Sequence, residues 1–397
     1  MEQTLSYVIV TPYTIAKSRT GGVLSRLLSR TDLELAGAQL FTPDEAFAKN
    51  YAGVLRERSP QNQVMLLADY TEQNLTPSGG RPHRTLLLLF RGKNPCDKLL
   101  NACGHLYTQH VEVDALSGET IRDTYADLIF SRENSDEVSY FEPAVLTPRS
   151  QVEADQDLAR IAGFLRGRKN IVQNIIYHDP SKIEETLVIL KPDNWVHHSS
   201  RPGTIIDMFS RTGLRIIGIK IHRFSLAEAL DFYGPVEAVL KEKLRSSFGR
   251  RARELLEKEF SFSLDSETEQ ILSDSAGVEC AMDQFYQILK FMSGRRPDNC
   301  TLEEMRKPGD VKCMIIIYEG ENAIRKIRDV LGPTDPLKAP DGTIRREFGS
   351  SVMVNTAHAS DSTESYEREK EIVKTEENSM VSIIDDYLAH ISIRNNM

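Results

Sequence analysis

The chain has 397 residues, 40% hydrophobic and 27% charged, with a formal net charge of −9. That length predicts two domains, and the acidic balance leaves no basic footprint for a nucleic-acid partner. Five cysteines, odd in number and without a CxxC pair, argue against a disulfide framework or a cysteine zinc site, and no apolar run reaches the roughly 18 residues of a membrane span. No signal-peptide core opens the chain, so a reduced, cytoplasmic setting away from membranes is expected.

In chain order, a strand pattern at Tyr7-Val8-Ile9-Val10 ends at Pro12, and Leu33-Glu34-Leu35 approaches Gly37. Residues 57–84 are rich in Ser, Pro, Gln and Gly and read as a mobile loop. Leu86-Leu87-Leu88-Leu89-Phe90 is a second apolar strand, and Thr120-Ile121-Arg122 follows. A helical pattern from Ala154 to Tyr177 lies in a joining segment, 151–184. Beyond it, strands are expected near 186–191, 214–222, 312–319 and 350–355, with helices near 202–212, 225–233, 282–292, 320–330 and 361–375. A short ending, Val381 to Tyr387, has the pattern of a further helix, and each half is expected to dock its own C-terminal helix.

The second series repeats the first in order. Leu187-Val188-Ile189-Leu190-Lys191-Pro192 answers Ser6 to Pro12; Phe209 to Gly218 answers Leu28 to Gly37. Met314 to Gly320 answers Leu86 to Gly92, and Thr343-Ile344-Arg345 answers Thr120-Ile121-Arg122. Matches in register along the chain indicate a tandem duplication. Strands alternating with helices give an α/β (α+β) class, each unit a ferredoxin-like βαββαβ layer. The expected division is 1–150, a joining segment 151–184, and 185–397 with an insertion at 236–283. The insertion contains a charged helical stretch, 241–260, and a polar one, 261–275.

Candidate chemistry gathers in the second unit. His358 is expected where a strand at 352–354 gives way to a helix, with Ser360 or Asp361 as cap; imidazole is a competent nucleophile near neutral pH. Lys191 leaves its strand pointing either at solvent or at an anion. Arg328 and Arg345 could each fork onto phosphate oxygens, although Arg325 and Lys326 beside Arg328 also suit a solvated helix face. His197-His198 reads as a solvated loop, since adjacent residues cannot both face one ion easily. The sole Gly-Lys pair, Gly92-Lys93, is followed by Asn94, so there is no P-loop.

Asn355-Thr356-Ala357-His358-Ala359-Ser360-Asp361-Ser362, the strand ending in Lys191, and Gly342-Thr343-Ile344-Arg345 together resemble the nucleoside diphosphate kinase family, in order along most of 186–371. The resemblance implies that His358 carries a phosphoryl group between nucleoside triphosphates and diphosphates by a ping-pong route, with Glu369 holding its ring. Lys191, Arg328, Arg345 and Thr334 would then contact phosphates, Tyr233 would stand near them, and Asn355 would meet the ribose. Phe285, with Leu289 or Ile288, would clamp the base, although the same positions suit core packing. Mg²⁺ bound through phosphates and water is implied, with Asp361 the outer-shell candidate. So is a homo-oligomer.

The insertion departs from the compact family pattern. The first unit departs further: Thr11 stands opposite Lys191, Leu100 opposite Arg328, Glu142 opposite Asn355, and about Val145 opposite His358, while Arg122 is retained opposite Arg345. That unit is expected to be catalytically dead and to pair with the second as an intrachain pseudo-dimer. The alternative from another class is a non-catalytic nucleotide-binding or scaffold protein.

Overall fold

The computed structural model describes residues 3–106, 118–132 and 138–395. The first part runs β1 (Thr4–Val10), α1 (Pro12–Ala16), α2 (Thr20–Arg30), β2 (Glu34–Phe41), α3 (Glu45–Arg58), α4 (Asn62–Leu75), β3 (Thr85–Gly92) and α5 (Pro95–Cys103). It continues through α6 (Ile121–Tyr125), a β4–β5 hairpin (Asp127–Phe130 and Val138–Glu142) and a two-residue β6 (Val145–Leu146), and α7 (Gln151–Leu165) follows. The second part runs β7 (Ile183–Leu190), α8 (Arg201–Ser210), β8 (Arg215–His222), α9 (Leu226–Phe260), α10 (Ser266–Asp274), α11 (Ala276–Ser293) and β9 (Cys313–Glu321). It closes with α12 (Ala323–Leu331), α13 (Ile344–Phe348), β10 (Ala357–Ala359), α14 (Thr363–Ile372) and α15 (Met380–Asn395).

Two antiparallel four-stranded sheets result, ordered β2-β3-β1-β6 and β8-β9-β7-β10. This is the ferredoxin-like order twice. The central strands are nearly continuous apolar runs, because helices pack on both their faces. Local detail repeats too. A bulge falls between Leu35 and Gly37 in one sheet and between Ile216 and Gly218 in the other. Asn94 and Asn322, each preceding a helix, take left-handed φ values of 51° and 54°, a conformation asparagine tolerates better than most residues.

The two sheets meet across a shared core. One apolar cluster runs from Val8 and Leu24 through Ile205 and Phe209 to Tyr318. At the seam α2 crosses α8 so closely that a Cβ on Gly203 would lie 2.2 Å from the Gly21 carbonyl. Only glycine admits that approach.

Several sequence expectations need correction. Within residues 57–84, 62–75 form helix α4, whose Val64, Leu67, Ala68 and Leu75 are buried at helical spacing. The polar residues that suggest a loop are its outer face. The segment 350–355 is not a strand; the strand is Ala357–Ala359, with His358 inside it. The helix of the joining segment stops at Leu165, and Gly167 turns the chain with φ 76°. Finally, α15 does not dock on its own half. Met380 and Ile384 enter the core of the first sheet, and the Tyr387 hydroxyl donates to Asp155 at 2.8 Å on α7.

The expected helices at 225–233 and 241–260 are one 35-residue helix, α9, which passes through Pro235. With α10 and α11 it fills the 236–283 segment as a helical hairpin. Among the described residues no helix is long and apolar enough to cross a membrane.

Candidate functional site

Strand pairing builds the site. β10 lies antiparallel to β7 with Ala357 opposite Leu190 and His358 opposite Ile189. The Lys191 amide then donates to the Thr356 carbonyl at 3.0 Å, and Thr356 turns the chain with φ 76°. Lys191 and Asn355 are thereby brought together: the Lys191 Nζ donates to Asn355 Oδ1 at 2.7 Å. The Asn355 amide donates in turn to the carbonyls of Thr334 and Val352, at 3.0 and 2.9 Å. One asparagine therefore ties the lysine to two loops.

Lys191 is only 8% exposed, and among the described residues no carboxylate lies within ion-pair distance of it. Burial, with the positive charge of Arg345 nearby, pulls its ammonium down to about 8. Such a cation is suited to bind an anion that replaces its lost hydration.

His358 is half-buried, and its Nε2 lies 2.9 Å from Glu369 Oε2. The same oxygen accepts the Ser360 hydroxyl at 2.7 Å. An ionised carboxylate can only accept, so Nε2 carries the proton and Nδ1 keeps its lone pair. Phe232 packs edge-on against the imidazole, ring centroids 5.0 Å apart. α14 brings Glu369 back across the strand. Its cap is Ser362, which accepts from the Ser365 amide at 3.1 Å. The expected caps serve otherwise: Ser360 holds Glu369, and Asp361 accepts from the Ser365 hydroxyl at 2.6 Å.

Arg345 donates to the carbonyls of Gly332 and Ala357, both at 3.0 Å. Burial, with the charge of Arg328 beside it, lowers its guanidinium to about 10. Arg328 reaches the Asp361 carbonyl at 3.3 Å. Asp361 is held below its ordinary range by the Ser365 hydrogen bond and by Arg328. Thr334 is exposed on the loop that Asn355 secures. Tyr233 is half-buried, its phenol pushed up by burial and by the nearby Cys313 and Glu369.

Two expected base-clamp residues are placed elsewhere. Phe285 and Leu289 are 1% and 0% exposed in a cluster with Leu226 and Ala229, where α11 packs on α9. They are core residues of the helical hairpin and have no surface to offer a base. Ile288, the alternative, is half-buried.

Arg368 is a residue that motif reading misses. Pro235 lacks the N–H that would reach the Asp231 carbonyl. Arg368 Nη1 donates to the carbonyls of Asp231 and Phe232, each at 3.2 Å. The arginine precedes Glu369 and so links the proline in α9 to the carboxylate on His358. A proline inside a helical pattern was the available signal, but its partner lies 133 positions on and follows from no local pattern.

A sequence profile described as "Nucleoside diphosphate kinase" matches residues 283–378. The chain is 30% identical over 182 residues to the nucleoside diphosphate kinase of Anaeromyxobacter sp. (strain K), covering 46% of this chain and 82% of that protein. It is 31% identical over 182 residues to that of Nitrosospira multiformis, covering 46% and 86% respectively. A crystal structure of an NDP kinase from Pyrobaculum aerophilum is 26% identical with a TM-score of 0.31, covering 48% of this chain and 94% of that one.

Proposed function

This chain belongs to the nucleoside diphosphate kinase family, and from that premise we propose that it transfers the γ-phosphate of a nucleoside triphosphate to a nucleoside diphosphate through His358. The observation that carries the reading is the His358–Glu369 pair at 2.9 Å, which leaves Nδ1 as the free nucleophile. In the first half-reaction the Nδ1 lone pair forms a bond to the γ-phosphorus, the bond from that phosphorus to the β,γ-bridging oxygen breaks, and the diphosphate departs. The ring then bears a positive charge, which the Glu369 carboxylate stabilises while Nε2 keeps its proton. In the second half-reaction a β-phosphate oxygen of another diphosphate attacks the same phosphorus, and the imidazole leaves neutral. No proton needs to be exchanged with solvent.

Phosphoryl transfer demands positive charge around the equatorial oxygens. Lys191 and Arg328 supply it in this reading, and Arg345 contributes from beneath while holding its two carbonyls. Tyr233 and Thr334 flank the phosphates, and Asn355 orients Lys191 and lies within reach of the ribose. An Mg²⁺ that arrives on the nucleotide phosphates belongs to this reading. Asp361, beside Arg328, would meet its water shell; the bound ion would neutralise charge on the phosphates.

The division into 1–150, 151–184 and 185–397 is part of the proposal, the first unit being a retired copy. Register places Leu146, one residue beyond Val145, opposite His358, because Val10 pairs with Val145 as Leu190 pairs with Ala357. Where Asn355 meets Lys191, Glu142 accepts from Thr11 at 2.7 Å and from Tyr70 at 2.6 Å. The cation is replaced by a hydroxyl and the asparagine by a buried carboxyl group, so this pocket has no lysine to offer a phosphate. The seam through α2 and α8 supports the pseudo-dimer, and a homo-oligomer of whole chains would assemble around it. Five unpaired cysteines suit a reducing, cytoplasmic location.

The test is steady-state transfer from GTP to ADP at several fixed GTP concentrations. Parallel double-reciprocal lines, and loss of at least a thousandfold in His358→Asn, are expected. Intersecting lines, or an active His358→Asn enzyme, would refute the route.

A further inference from the structure

A cavity of about 410 Å³ lies at the seam, and none of its lining residues belongs to the His358 site. Its walls come from both parts of the chain: Ile15 and Arg84 from the first, Asn174 from the joining segment, and Ile206, Arg215 and Tyr318 from the second. Its size falls in the range of small-molecule pockets.

The polar side of this cavity is not satisfied from within. Tyr318 is 1% exposed, yet its hydroxyl has no hydrogen-bond partner among the described residues. Asn174 donates to the Pro82 carbonyl at 2.8 Å, but among the described residues its Oδ1 has no partner. Arg84 donates once, to the Ile216 carbonyl at 2.7 Å. It is half-buried close enough to Arg215 that their like charges disfavour each other. Among the described residues no carboxylate lies within ion-pair distance of either arginine. The nearby Glu319 accepts from the Tyr177 hydroxyl at 2.6 Å instead. Two half-buried cations without a counter-ion, beside an orphaned hydroxyl, are unfavourable as they stand. An anion with further hydrogen-bonding groups relieves all of these at once.

We propose that the seam cavity is a second binding site, for a small phosphate-bearing ligand whose oxyanion sits between Arg84 and Arg215. Guanidinium forks match phosphate geometry. The Tyr318 hydroxyl donates to the ligand, the Asn174 carbonyl oxygen accepts from a ligand hydroxyl or amine, and Ile15 and Ile206 cover its apolar part. The site needs both halves of the chain, which gives the first unit a ligand-binding part without any catalytic residue.

The test uses the full chain carrying His358→Asn, so that no transfer intervenes, and measures binding of inorganic phosphate and of adenosine 5′-monophosphate by calorimetry. Arg215→Gln should weaken both probes at least tenfold, the loss of one charge-assisted pair. Tyr318→Phe, which removes a single oxygen and preserves the packing, should weaken the monophosphate several-fold. Binding that Arg215→Gln weakens, if tighter for the monophosphate than for phosphate, identifies an organic ester as the occupant, and if equal identifies the free anion; either supports the site. Binding of neither probe, or Kd values unchanged by both substitutions, would overturn it. Because His358 plays no part in this cavity, that failure would leave the transfer reaction untouched.

Discussion

Arg345 makes in the second unit the pair of hydrogen bonds that Arg122 makes in the first. Arg345 reaches the carbonyls of Gly332 and Ala357, and Arg122 those of Gly104 and Val145. If the first unit is the retired copy proposed above, a residue that keeps its partners there is held by structure. Arg122→Met should therefore destabilise the chain by about 2–4 kcal/mol, the range for buried carbonyls left without a donor, and leave transfer in the folded protein unchanged. Arg345→Met should lose both stability and transfer. Urea unfolding beside a transfer assay separates the two; loss of transfer in folded Arg122→Met would contradict the assignment.

Lys191 carries the opposite trade. It is buried, hydrogen-bonded to a neutral asparagine and close to the positive charge of Arg345, so its own charge is disfavoured there. Lys191→Met should abolish transfer and raise the stability of the ligand-free protein at pH 7 by about 1–3 kcal/mol. A lower thermal midpoint in the variant would be inconsistent with this reading.

The same lysine sets a pH dependence. Its ammonium has a folded value of about 8, below that of a free lysine. Its charge is lost as pH rises through 8, so kcat/KM should fall on the alkaline side of about pH 8. The unfolded lysine keeps its proton to about pH 10, so this group's contribution to the stability of the free protein should grow between pH 8 and 10. A pH profile flat to pH 10 would remove Lys191 from phosphate binding.

Arg368 and Pro235 make a coupled prediction. Arg368→Ala should lower stability by about 1 kcal/mol, leaving the Asp231 carbonyl unmet, and should slow phosphorylation of His358 by loosening α14 beside Glu369. Pro235→Ala restores the helical N–H, so the stability loss from Arg368→Ala should shrink in that background. A double-mutant cycle reads the coupling directly; additive effects would break the link between the hairpin and the site.

The architecture was readable because its cause is local and periodic: apolar runs such as Leu187 to Leu190, repeated in order, produced strands near the expected places. In the candidate site, His358 and Glu369 were legible as a pair, and they stand 2.9 Å apart, whereas the strand carrying His358 and the cap of α14 lie a few residues beyond where local pattern put them. Failures came where burial is decided by a distant element. Phe285 and Leu289 looked available to a base, but α9 runs on past Pro235 and covers them. Residues 62–75 looked like a loop because the Ser-, Pro- and Gly-bearing stretches on either side dominate the composition and hide the apolar run Val64 to Ala68. The helix at 380–395 joined the other half because its partner, α7, belongs to the first core.

The most direct measurement is phosphoenzyme formation. The full chain is incubated with γ-labelled ATP and Mg²⁺, then given an unlabelled diphosphate, with His358→Asn in parallel. The account predicts an acid-labile label on the unaltered protein that chases into new triphosphate and never appears on His358→Asn. A folded, nucleotide-binding protein that acquires no label, or a label that survives in His358→Asn, would contradict it.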